Sequence, residues 1–219
     1  MKRLPERYAR HRYTILFCSL LLTLIASPIV AEFHFSGDSI EFLLFLNLAA
    51  SAIGAGTPRE RNRLLIFILV TALLRFVGRW LNYNSAANTG AFFWVVLLIA
   101  AAIAALRFAL KGRRVDKEHV SAALSAYLLV GHLFGIVYFQ LVGLRPGSFA
   151  IGGVAAAAGQ LDAPSCIYFS FVTLATLGYG DIAPLAPITR GLAVSEAILG
   201  QLYLAVLVAR LIGAAGNRK

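Results

Sequence analysis

The run Thr173-Leu-Ala-Thr176-Leu177-Gly178-Tyr179-Gly180-Asp181 lies between two long apolar stretches. Its residue types suit one kind of chemistry, the replacement of a cation's water shell by backbone carbonyls. A bare cation entering hydrocarbon loses solvation worth on the order of tens of kcal/mol, so oxygen ligands must stand in for water at each step. Pointing successive carbonyls along one line requires backbone at positive φ, which glycine adopts at little cost, and this is the role read for Gly178 and Gly180. The carbonyls of Thr176, Leu177, Gly178, Tyr179 and Gly180 then form a ligand column. The Thr176 hydroxyl adds a ligand at its inner end, the Tyr179 ring packs behind the strand, and Asp181 stands at the outer mouth.

Such a column needs a membrane to work in, and the composition supplies one. Apolar residues make up 59% of the 219 and charged residues 14%, a balance uncommon among soluble domains. A span needs about 20 mostly apolar residues, and six segments qualify: about 13–31, 39–54, 64–81, 90–110, 119–142 and 187–213. The second is the shortest. The segment 164–176 is apolar but too short to cross, so it reads as a re-entrant helix. The expected fold is an all-α membrane protein with six transmembrane helices, a re-entrant helix and the carbonyl column, divided into a four-helix block at 1–117 and a second block at 118–219.

Orientation follows from the basic residues. In a six-span layout sixteen Lys and Arg, at positions 2, 3, 7, 10, 12, 59, 61, 63, 107, 111, 113, 114, 117, 210, 218 and 219, fall on one side; Arg75, Arg79, Arg145 and Arg190 fall toward the other. Both termini are therefore expected in the cytoplasm, with the carbonyl column opening outward. The net charge of +10 is a topology signal, spread over four membrane-flanking segments, and anionic lipid head groups suit it better than nucleic acid does. The high Arg-to-Lys ratio and abundant alanine suggest a bacterial cytoplasmic membrane.

Other functions find little support. Paired carboxylates, a nucleophile elbow, a phosphate loop and a metal-ligand cluster are all missing from the sequence, so neither an enzyme nor a cofactor is expected. Cys18 and Cys166 show no pairing pattern. The basic start, the apolar run from Ile15 to Ala26 and Ile29-Val30-Ala31 also resemble a cleavable signal, but the near-span length favours a retained helix. His34 stands near Glu32, Asp38 and Glu41, which read as a solvated acidic loop, and His132 in Gly131-His-Leu-Phe-Gly135 reads as a buried, satisfied histidine.

Residues 119–213 resemble the pore module of the tetrameric potassium channels: an outer helix at 119–142, a pore helix at 164–176, a filter at 176–181 and an inner helix at 187–213. The resemblance implies a homotetramer that passes K+ and binds it through the carbonyls of 176–180 and the Thr176 hydroxyl. Tyr168 and Phe169 occupy positions where family members often carry tryptophans, and Val172 stands where some bacterial relatives pair a glutamate with the filter aspartate. Leu177 replaces the commoner Val or Ile, a change expected to spare conduction because the carbonyl coordinates. Gly200, nineteen residues after Asp181, falls where the family often places a gating hinge; a closely packed small residue is the competing account. Glu196, an acid within a span, is expected to bond the pore helix at Ser170 or Thr173, with a pH-sensitive gate as the alternative. Gln201, Leu204 and Val208 are expected to line the cavity.

Six-span relatives commonly use the first four spans as a voltage sensor. Here the fourth span carries only Arg107, near its cytoplasmic end, so conventional voltage gating is not expected. Arg75 and Arg79, four apart on the third span, read as interface-snorkelling or acid-paired residues. Two alternatives remain: a weakly selective monovalent cation channel, and a potassium-uptake transporter, against which the single filter copy argues.

Overall fold

The computed structural model describes residues 11–32, 84–111 and 116–216, together with scattered positions between 33 and 83. The expected spans at 39–54 and 64–81 lie outside the described residues, apart from such scattered positions, as do His34, Asp38, Glu41, Arg75 and Arg79. The chain forms two units, Met1–Leu129 and Val130–Lys219.

In the first unit lie α1 (Arg12–Glu32), α2 (Asn84–Leu110) and the start of α3 (Lys117–Leu144). Alanines at 102, 105, 109, 122, 123 and 126 are buried with Leu16, Leu20, Trp94 and Leu98, because small side chains let apolar helices approach closely. The start of α1 is tied to α3 by polar contacts. The Tyr13 N–H donates to the Glu118 carboxylate at 3.1 Å and the Thr14 hydroxyl donates to the same group. An acid at a helix N-terminus satisfies donors that have no partner within the helix. Asp116 caps α3 by accepting the His119 N–H at 3.0 Å.

In the second unit, α3 ends at Leu144, just before Arg145-Pro146-Gly147, where a proline and a left-handed glycine (φ 80°) stop the helix. A three-stranded sheet follows in the order β2 (Val154–Ala155), β1 (Phe149–Ile151), β3 (Ile182–Pro184), all antiparallel. Between β2 and β3 runs α4 (Ala163–Leu174), capped by Asp162, whose carboxylate accepts the Ser165 N–H at 2.9 Å, with Pro164 in the first turn. α5 (Pro187–Gly216) closes the unit. Tyr138, Phe149 and Phe169 form its aromatic core, with ring centroids 5.1 to 5.5 Å apart and steeply inclined, the edge-to-face geometry aromatic rings prefer.

Among the described residues, three helices are long and apolar enough to cross a membrane: Phe92–Leu110, Lys117–Leu144 and Pro187–Gly213. α4 is too short to do so. It also ends two residues earlier than the sequence suggested, because Thr176 adopts φ 57° and no helix can continue through it.

Candidate functional site

Beyond α4 the backbone reverses the sign of φ at alternate residues. Thr176 (57°), Gly178 (60°) and Gly180 (79°) are left-handed, while Leu177 and Tyr179 between them keep negative φ. This alternation turns successive N–H groups to one side of the strand and their carbonyls to the other. The N–H side is identified by its partners. Leu177 N and Gly178 N both donate to the Val172 carbonyl, at 2.9 and 3.4 Å, and Thr176 N donates to Thr173 O at 3.0 Å. The N–H edge thus faces the end of α4 and leaves the carbonyl edge of 176–180 pointing away from it.

The two glycines were legible for this role, but Thr176 was not, since a β-branched residue at positive φ is an outlier. Its surroundings hold it. Besides the backbone bond to Thr173, its hydroxyl oxygen lies 3.0 Å from the Gln201 amide nitrogen on α5. Gln201 therefore reaches the inner end of the column itself. Leu204 and Val208, one and two turns further along α5, are exposed in the single chain.

At the far end of the stretch the Asp181 carbonyl accepts the Gly152 N–H at 2.9 Å. Val172 offers no acid to it, as its type dictates. Phe169 contributes packing, in contact with Tyr138 and Phe149.

Behind α4 lies a fully buried polar contact. Glu196 of α5 has no exposed surface; it accepts the Tyr138 hydroxyl at 2.7 Å and sits 2.5 Å from the Ser170 hydroxyl. Ser170 in turn lies 2.7 Å from the Gly131 carbonyl. One acid thereby joins α3, α4 and α5. Ser170 was among the partners the sequence suggested, whereas Tyr138 gave no signal, being one aromatic in an apolar span. Gly200 lies against the Leu174 carbonyl so closely that a Cβ there would collide with it. Gly131 and Gly135 serve the same end on α3: an added Cβ would meet Phe171 at 2.5 Å and Ile167 at 2.7 Å. His132 is buried, with Phe171 edge-on at 5.3 Å. Among the described residues no group of three or more His, Cys, Asp or Glu side chains could hold a metal ion.

The family match covers most of this unit and the last residues of the first. Residues 124–215 match the family model described as ion channel. Over 84 residues the chain is 34% identical to the inward rectifier potassium channel Kirbac3.1 of Paramagnetospirillum magnetotacticum, an alignment covering 36% of this chain and 24% of that protein. The chain thus spans about a quarter of that curated relative's length. No solved structure matches it.

Proposed function

We propose that four copies of this chain form a potassium-selective channel whose filter is the carbonyl edge of Thr176, Leu177, Gly178, Tyr179 and Gly180, with the Thr176 hydroxyl as its innermost ligand. The observation that carries this reading is the alternating left-handed backbone at 176, 178 and 180, anchored by its N–H groups to a helix half a membrane long. That arrangement leaves carbonyl oxygens free to replace the hydration of a cation. The ion-channel match over 124–215 and the likeness to a potassium channel support the same ion.

A single carbonyl edge cannot surround an ion, and the chain holds one filter copy. Four copies around an axis complete the ring, and the exposed apolar surface agrees with this. Leu177 and Tyr179 are 57% and 67% exposed, and Val194, Ile198 and Leu202 of α5 are more than half exposed. Residues of that kind need cover from lipid or from neighbouring copies. In this reading the channel is multi-pass in a cell membrane, with both termini cytoplasmic and basic segments near anionic lipid. Gating candidates are Gln201, which contacts the filter threonine, with Glu196 and Gly200 on the same helix.

Reconstitution in liposomes tests the proposal through reversal potentials in mixed potassium and sodium. The expected result is a reversal potential that follows the potassium gradient. Equal permeation of sodium would select the weakly selective cation channel instead, and absence of flux with intact assembly would refute a conducting pore.

A further inference from the structure

The segment before α4 is rich in glycine and alanine and reads from sequence as an outer loop, yet it is paired to the exit of the carbonyl column. β1 aligns with β3 in the register Phe149↔Pro184, Ala150↔Ala183 and Ile151↔Ile182. The pairing is extended toward the column by the Gly152 N–H, which donates to the Asp181 carbonyl at 2.9 Å. Gly152 and Gly153 have φ of 55° and 84° and connect Ile151 to Val154 directly. Two successive positive φ values in a two-residue connection define a type I′ turn, whose twist matches the strands it joins. The base of the hairpin is fixed as firmly as its tip. Ser148 O accepts Leu185 N, Ala186 N and the Thr189 hydroxyl at 2.9, 3.1 and 3.0 Å, and Phe149 is buried among Tyr138 and Phe169.

We propose that the hairpin Phe149–Ala155 is a positioning device for conduction: its Gly152-Gly153 turn holds the Asp181 peptide so that the ligand column ends at Gly180 and keeps its shape when cations leave it. The inference rests on the conduction reading above. A ring of carbonyl dipoles with no cation inside is mutually repulsive, so an emptied filter tends to twist its peptides away from the axis. Resistance must come from whatever holds the peptides behind it. On the α4 side, Val172 offers no acid to hold Asp181. The hairpin supplies a backbone clamp from the opposite side. With its carbonyl turned to Gly152, Asp181 cannot offer it to the ion.

The test compares full-length channels carrying Gly153→Val, which a β-branched residue at φ 84° should unwind, and Gly153→Asn, which tolerates left-handed backbone. The readout is the fraction of potassium flux that survives incubation in potassium-free sodium buffer. One lost backbone hydrogen bond weighs about 0.5–1.5 kcal/mol, roughly two- to tenfold. The Val variant should therefore lose its flux two- to tenfold faster than wild type, with the starting flux retained and the Asn variant unchanged. An assembled Val variant that survives as well as wild type would overturn the proposal. Should Val prevent assembly, amide exchange of the wild-type tetramer decides. The Gly152 amide should be protected from exchange in potassium and equally in sodium, and a Gly152 amide that loses its protection once potassium is removed would overturn the clamp. A wild-type chain that carries no flux while its Gly152 amide stays protected would defeat the conduction reading and reduce the hairpin to a structural element.

Discussion

Glu196 shows how a costly residue can be accommodated in an apolar span. A buried carboxyl is expensive unless every oxygen finds a partner, and here each has one: Tyr138 on one side and Ser170 on the other. Because those two partners come from two other helices, α3 and α4, the side chain fixes helix position rather than ion affinity. Glu196→Gln preserves the arrangement, since the amide nitrogen can donate to Ser170 while the amide oxygen accepts from Tyr138. Glu196→Leu leaves the buried Tyr138 hydroxyl without its partner, at about 1–3 kcal/mol for an unsatisfied group, while Ser170 keeps its bond to the Gly131 carbonyl. Thermal stability of the assembled protein in detergent should therefore be near wild type for Gln and clearly lower for Leu. A Leu variant as stable as wild type would show that the contact is dispensable. The residue was visible in the sequence as an anomaly, and Ser170 as one of its possible partners, because Ser170 sits on the short helix that must pass nearby. Tyr138 could not be found that way; it lies fifty-eight positions from Glu196, and a lone tyrosine among apolar residues carries no periodic mark.

At the level of elements, α4 is held by places where its neighbours carry no side chain. Gly131 and Gly135 admit Phe171 and Ile167, and Gly200 admits the carbonyl of Leu174. The sequence left Gly200 divided between pivot and close contact, and this geometry supplies the close contact. Gly200→Ala should cost about 1–3 kcal/mol through overpacking, read as a lowered melting temperature of the assembly; a glycine serving only as a pivot would leave stability intact and change opening alone. The cap of α3 gives a second test, this time with pH. The His119 ring nitrogen and backbone N–H hold the Asp116 carboxyl below its ordinary range. A depressed carboxyl stabilises the fold above its unfolded value, and that contribution is lost as acid carries the pH down through the folded value. Asp116→Ala should therefore lower stability at neutral pH by the amount typical of a lost cap, about 1 kcal/mol, and the difference from wild type should shrink in acid. A difference that grows on acidification would contradict the cap. The helices were legible because long apolar runs and the Asp162-Pro164 start announce themselves, and the left-handed backbone at 178 and 180 because glycine adopts it at little cost. The β1–β3 pairing was not, since Phe149–Ile151 meets Ile182–Pro184 across the whole of α4 and neither segment alternates for long enough to read as a strand.

For the whole molecule, the arrangement of charge limits how strongly a membrane potential can act on it. Each elementary charge carried across the full field contributes about 2.3 kcal/mol per 100 mV, so a fourfold channel with several mobile arginines per copy gains tens of kcal/mol. α2, where such a ladder would lie, has Arg107 in its last turn and no other basic residue along its length. At the edge of the hydrocarbon an arginine crosses little of the field. If each of four copies moved that charge through about a tenth of it, the gain would be roughly 1 kcal/mol per 100 mV, or about fivefold in open probability. Conductance measured in a planar bilayer should therefore change by no more than this over 100 mV at either polarity. Arg75 and Arg79, in the segment read from sequence as a third span, are the other basic residues that could respond, and neutralising both to Gln distinguishes the cases. An unchanged, shallow conductance–voltage relation in the double variant fits an interfacial role for the pair. A steep wild-type relation that becomes shallow on their removal would instead place the sensor on that pair, and would overturn the expectation that conventional voltage gating is absent.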